Sequence, residues 1–171
     1  MPVASSLERI QPCLFERLID FNPEQRQEGR SDRVLSMGRY REGVIRDLEW
    51  LLNTSAHLKS EGLDEFPQVE RSVFNFGKRD LAGLVVSSLK PADLEAEIAR
   101  AIQWFEPRIV FETLKVKCVS AEGSKGARKF KGRGLYNCLT FEITGELWSH
   151  PVTEEFFLKT TLDLETGAKP L

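Results

Sequence analysis

The sequence is poor in the residues that build metal and redox sites. Its 171 residues include three cysteines and two histidines. Cys13, Cys118 and Cys138 form an odd set without a Cys-x-x-Cys pair, so neither a disulfide framework nor a zinc site is indicated. His57 and His150 stand far apart, and neither has a metal ligand's spacing to its neighbours. Three reduced thiols in a cytosolic protein fit this usage, and no metal or cofactor is expected. An excess of charge of one sign is also missing. The formal net charge is −2, which argues against a protein that binds nucleic acid or a membrane surface over its whole face. No apolar run approaches the roughly 18 residues of a membrane span, so direct membrane insertion is not expected. The opening "MPVASSLERIQPCLFERL" carries charges among its apolar positions and does not read as a secretory signal. There is no serine elbow, no His-Glu-x-x-His and no Gly-x-Gly-x-x-Gly. The stretch "GSKGARKFKGRG" lacks the order of a phosphate-binding loop.

What is present is an ordinary globular balance, with 41% hydrophobic and 29% charged residues. A chain of this length buries roughly two thirds of its unfolded surface, so it needs no staple to fold. Leu7, Ile10, Leu14, Phe15, Leu18 and Ile19 fall near helical spacing, and Pro12 predicts that this helix starts there, with proline in its first turn. Residues 22–33, "NPEQRQEGRSDR", hold no apolar residue and read as a solvated linker. The predicted organisation is an N-terminal helix and flexible linker over 1–33, followed by one α+β domain over 34–171.

Within that domain "YREGVIRDLEWLLNT", residues 40–54, is an amphipathic helix. Val44, Ile45, Leu48, Leu51 and Leu52 form its core stripe, and Glu42 and Arg46 are spaced for an i,i+4 pair. "PQVERSVFNFG" is a short apolar patch closed by Gly77, and "KRDLAGL" reads as one helical turn. The second strong helix is "PADLEAEIARAIQWF", residues 91–105, with Pro91 in its first turn and Leu94, Ile98, Ala101, Ile102 and Phe105 as its stripe. Pro107 stops it, because proline disfavours helical geometry in the residue before it. The period then changes to two. Leu114, Val116 and Cys118, then Leu139 to Leu147, then Phe156 to Leu164, alternate as three half-buried strands. Short connections predict antiparallel pairing. The fold class is α+β, with N-terminal and central helices followed by a small antiparallel sheet of about three strands. The connection 122–134, with five basic residues and four glycines, reads as a hairpin loop.

The junction "FEPRI" at 105–109 carries the one carboxylate, Glu106, at an obvious corner. A glycosidase needs a second carboxyl about 5 Å or about 6.5–9.5 Å away across a cleft. Nothing in the sequence names one, and Glu112 would be a guess. A structural role fits better: the carboxylate can take a backbone N–H or an arginine, and Arg108 can make a bidentate contact with a partner carboxylate. The basic loop can contact phosphate, but aromatics are sparse around it, with Phe130 inside and Tyr136 just beyond. These features describe an assembly subunit better than an enzyme.

Several stretches together resemble one family. They are "LFERLIDF" (14–21), "REGVIRDLEWLLNT" (41–54), "SVFNFG" (72–77), "FEPRI" (105–109) and "FFLKTTLDLETG" (156–167). The chain is similar to the TssE baseplate subunits of type VI secretion, relatives of a phage baseplate-wedge protein often labelled lysozyme-like. The loop at 122–134 is longer than that pattern, and Ser55 stands where the pattern ends in an arginine. The resemblance implies a non-enzymatic protein without cofactors, in a baseplate wedge with TssF and TssG. It also implies contact with contractile sheath subunits and with other baseplate and spike components, in a bacterial cytoplasmic baseplate docked at the inner membrane. It implies that Glu106, Pro107 and Arg108 serve baseplate assembly. It further implies that the C-terminal strand, with Phe157, Lys159, Thr161 and Asp163 on one side, templates the sheath by strand pairing. The N-terminal helix, through Leu14, Phe15, Leu18 and Ile19, would dock on another subunit. The competing reading is a peptidoglycan hydrolase using Glu106.

Overall fold

The computed structural model describes residues 10, 12–19, 23–24, 35–57, 63, 65–83, 89–119, 138–149 and 153–163. Among these residues four helices and one three-stranded sheet follow in sequence order. They are α1 (Leu14–Leu18), α2 (Met37–Asn53), α3 (Pro67–Glu70), α4 (Pro91–Phe105), β1 (Ile109–Val119), β2 (Cys138–Leu147) and β3 (Glu154–Asp163). A single 3-10 turn, Val73–Asn75, follows α3. This is the α+β class that the change of period announces.

The two long helices form where their apolar stripes lie. In α2, Val44, Leu48, Leu51 and Leu52 are buried and Ile45 packs at the margin. The Ser36 hydroxyl accepts the Arg39 N–H at the helix start, 3.3 Å away, and satisfies one of the donors that every helix leaves free there. In α4, Leu94, Ile98, Ala101 and Ile102 are buried and Pro91 opens the first turn. The helix ends at Glu106, whose φ of −127° and ψ of 75° are no longer helical, as the following proline requires.

The sheet is an antiparallel meander in the order β1-β2-β3. Alternation sends Leu139, Phe141, Ile143, Leu147, Phe156, Leu158 and Leu162 to one face, where α2 and α4 cover them in a single core. The opposite face is polar. β1 begins immediately after Arg108, five residues earlier than the alternation from Leu114 suggests, because a large irregularity in register interrupts it. Register runs from Val110↔Glu146 to Lys115↔Thr144, so residues 111–114 stand opposite Gly145 alone. The Thr113 hydroxyl closes the gap. It donates to the Val110 carbonyl at 2.8 Å and accepts the Glu146 N–H at 2.9 Å.

Some expectations need correction. "KRDLAGL" forms no helix over its described residues 78–83. Lys78 instead pairs by its backbone with the chain after α2, through Lys78 N–H to Thr54 O (3.0 Å) and Ala56 N–H to Lys78 O (2.7 Å). Gly77 makes that approach possible. Its φ is +130°, and a Cβ there would stand 2.6 Å from the Thr54 carbonyl oxygen. Arg46 does not turn to Glu42; it meets Asp47 at 3.0 Å and Glu16 at 3.8 Å. The N-terminal helix is a single turn rather than a longer rod, and it rests on α2. The linker 22–33, apart from a turn at 23–24, and the basic loop 122–134 lie outside the described residues, as does Leu164.

Candidate functional site

The corner after α4 is built around one bidentate ion pair. Arg108 donates through Nε to Glu106 Oε1 and through Nη2 to Glu106 Oε2, both at 2.6 Å. The Arg108 backbone N–H adds a longer bond to Glu106 Oε1, 3.3 Å. Glu106 is only 4% exposed, so its carboxylate faces the protein and not a partner. Pro107 is exposed at the apex. The proline spaces the two charged residues so that one can fold back on the other.

The pair does not stand alone. Arg108 Nη2 also reaches Asp47 Oδ2 on α2 at 2.5 Å. Asp47 Oδ1 accepts from Arg46 Nε at 3.0 Å, and Arg46 approaches Glu16 of α1. Three carboxylates and two guanidiniums thus alternate from α1 across α2 to the corner. Burial by itself would lower the Arg108 pKa. The hydrogen bond and charge of Glu106, followed by those of Asp47, outweigh it and raise the value. The guanidinium therefore stays charged at any working pH. Tyr40 completes the corner. Its hydroxyl donates to the Trp148 carbonyl at 2.9 Å, and the Trp148 N–H donates to the Arg108 carbonyl at 2.7 Å. Burial raises the Tyr40 pKa; Arg108 works against this, and Glu106 and Glu16 add to it. The Trp148 side chain itself points into solvent.

Both oxygens of Glu106 are thus occupied by Arg108, a poor arrangement for a general acid. No group of three or more His, Cys, Asp or Glu that could hold a metal occurs among the described residues. Among these residues no helix is long and apolar enough to cross a membrane.

The second candidate surface is the sheet edge. The Cys118 N–H donates to Glu95 of α4 at 2.8 Å, so it faces away from β2. Its partner Phe141 then directs its own N–H and C=O towards β3, where it opposes Thr160. By alternation, Glu155, Phe157, Lys159 and Thr161 turn their backbone groups outward, away from β2. The Glu146 N–H, of the other parity, goes to Thr113 on the β1 side, as this phase demands. Phe157, Lys159 and Thr161 therefore combine an outward backbone with side chains on the polar face, where Phe157 is 57% exposed. Asp163 opposes Cys138 at the end of the strand. No further strand pairs with β3 among the described residues.

The third is α1. Leu14 and Leu18 are 72% and 75% exposed, and Phe15 and Ile19 are also at the surface. Phe15 meets Trp50 edge-to-face, with ring centres 5.4 Å apart, and the Arg46 guanidinium lies over both rings. Glu16 fits because position 43 is glycine; a Cβ there would come within 2.2 Å of its carboxylate oxygen.

A family model described as baseplate wedge protein gp25 matches residues 39–152, about two thirds of the chain. The chain belongs to this family. It is the family that includes TssE, so the resemblance carried by the motifs is upheld. No curated protein and no solved structure matches the chain. The matched span starts within the first turn of α2, contains α4, the corner, β1 and β2, and ends just before β3. Membership supports a phage-like structural role in a baseplate and suggests a non-enzymatic protein.

The motif "FEPR" was visible in the sequence, but the residues that complete it were not. Asp47 stands i+3 from Val44 and i−4 from Leu51, a charge on the border of the core stripe, and that position was the available signal. Tyr40, Trp148, Glu16 and Glu95 gave no local signal for their contacts.

Proposed function

We propose that this chain is a structural baseplate subunit of a contractile type VI secretion machine. In this reading it joins a wedge of TssF and TssG to the sheath, in a bacterial cytoplasmic baseplate docked at the inner membrane. The observation that carries the reading is β3: an edge strand with outward backbone donors and acceptors in a baseplate-wedge protein. Such an edge accepts an extended segment of another chain through main-chain hydrogen bonds. Sheath subunits pair there, and the added strand templates the first sheath ring. The wedge subunits dock at the Glu-Pro-Arg corner. Because Glu106 and Arg108 bind each other, the surface they offer is their shape: the exposed Pro107 and the neighbouring Trp148. The exposed apolar residues of α1 give a further docking point.

The test is a pull-down of the tagged protein from cells carrying the full secretion cluster, with two proline variants. Thr161→Pro removes an outward N–H, whereas Thr160→Pro removes one that bonds β2. Wild type should recover wedge and sheath subunits. Thr161→Pro should keep the wedge and lose sheath initiation, and Thr160→Pro should lose stability. Normal sheath assembly on Thr161→Pro would sink the strand-pairing mechanism. Absence of wedge subunits from the wild-type eluate would sink the baseplate assignment.

A further inference from the structure

The polar face of the sheet reads as a set of cross-strand rows, and among the described residues each row lacks its next member at the β3 edge. In one row Lys117, Glu142 and Lys159 alternate in sign, with Lys159 Nζ 2.8 Å from Glu142. In the next, Val119, Thr140 and Thr161 stand side by side, and the two threonine hydroxyls are 3.1 Å apart. On the other flank, Lys115 and Thr144 lead to the exposed Phe157. Beyond it Glu146 and Glu155 place like charges opposite each other. Directly opposed side chains on one face interact, favourably for opposite charges, apolar pairs and threonine pairs, and unfavourably for like charges.

We infer that the segment received by β3 carries a defined alternating pattern. It presents a basic residue opposite Glu155, an apolar one opposite Phe157, an acidic one opposite Lys159 and a β-branched one opposite Thr161. The basic residue neutralises the Glu146–Glu155 repulsion, and the acidic one extends the alternation of Lys117, Glu142 and Lys159. This rests on the strand-pairing reading above and adds the chemistry of the partner. In antiparallel orientation the partner reads Thr-x-Glu-x-Phe-x-Lys, with apolar residues at x, beside Phe156, Leu158 and Thr160 of the inner face. The β1 edge cannot compete as well, because Glu95 already accepts its outward Cys118 N–H.

The experiment appends this segment to the C-terminus of the full chain through a Gly-Ser linker, which supplies an effective concentration of about millimolar. A second version exchanges the Glu and Lys. Amide hydrogen exchange is read at Phe157, Lys159 and Thr161 in both and in the untailed chain. The matched tail should slow these amides, by at least about tenfold more than the exchanged tail. Equal protection by both tails overturns the row pattern while leaving strand pairing in place. No protection by either tail overturns strand acceptance at β3 as well.

Discussion

Arg108 clasps Glu106 through both carboxylate oxygens across the single residue Pro107, and the clasp is turned inward against Asp47 of α2. The charged residues of the motif thus tie the end of α4 to the flank of α2, and they present a shaped corner instead of a charge. Removing Arg108 would leave Glu106 buried without its counter-ion. Breaking a buried pair in this way costs about 3–5 kcal/mol, a large part of the roughly 5–15 kcal/mol that holds a domain together. Arg108→Ala should therefore shift the urea midpoint strongly. A midpoint close to wild type would show that the buried Glu106 does not depend on this counter-ion.

Trp148 offers the cleaner probe of docking at the corner. Its fold contacts run through its backbone N–H and C=O, while its ring is exposed. Trp148→Ala should leave stability within about 0.5 kcal/mol of wild type and weaken recovery of wedge subunits. Undiminished recovery would move the docking surface elsewhere.

Gly77 gives a prediction of a different kind. A side chain there meets both a positive φ of 130° and the Thr54 carbonyl oxygen at 2.6 Å. Gly77→Ala should cost about 1–3 kcal/mol in urea unfolding, and it should loosen the Thr54–Lys78 backbone pair that follows α2. Unchanged exchange at the Lys78 amide would show that the pair does not depend on this glycine.

Tyr40 makes stability depend on alkaline pH. Its folded pKa is raised above 10.0, chiefly by burial. In the window above that value the unfolded chain releases the phenolic proton first, so the folded state binds more protons and stability falls as pH rises. The contribution is complete below pH 10 and is lost as pH climbs through the folded value. Tyr40→Phe removes the titration together with the bond to the Trp148 carbonyl. It should cost about 1 kcal/mol at neutral pH, and that cost should shrink above pH 10. A difference between the two proteins that stays flat with pH would contradict the assignment.

The elements that the sequence disclosed are those written in a local period. The stripe of Leu94, Ile98 and Ile102 announces α4, and Leu139, Phe141 and Ile143 announce β2. The contact between Arg108 and Asp47 joins residues 61 apart and has no period to betray it. The bulge hides for the same reason. Residues 111–114 lose their alternation because they face Gly145 alone, and only the register of two strands reveals it. Glu106 was legible as a residue of interest, but its inward direction depends on Asp47 waiting on another helix.

Glu95 carries the last expectation, because it decides which edge of the sheet is open. Among the described residues β1 and β3 are both edge strands, yet Cys118 on β1 has its outward N–H bonded to a side chain of α4. An edge covered in this way is a poor template for another strand. Glu95→Ala frees that donor. The Cys118 amide should then exchange faster, and the protein should gain a tendency to self-associate as concentration rises, measurable by sedimentation velocity. Glu95→Gln keeps an acceptor at the same reach and should restore much of the protection. If Glu95→Ala leaves both exchange and sedimentation unchanged, α4 screens the edge by bulk alone, and the choice between the two edges does not rest on this carboxylate.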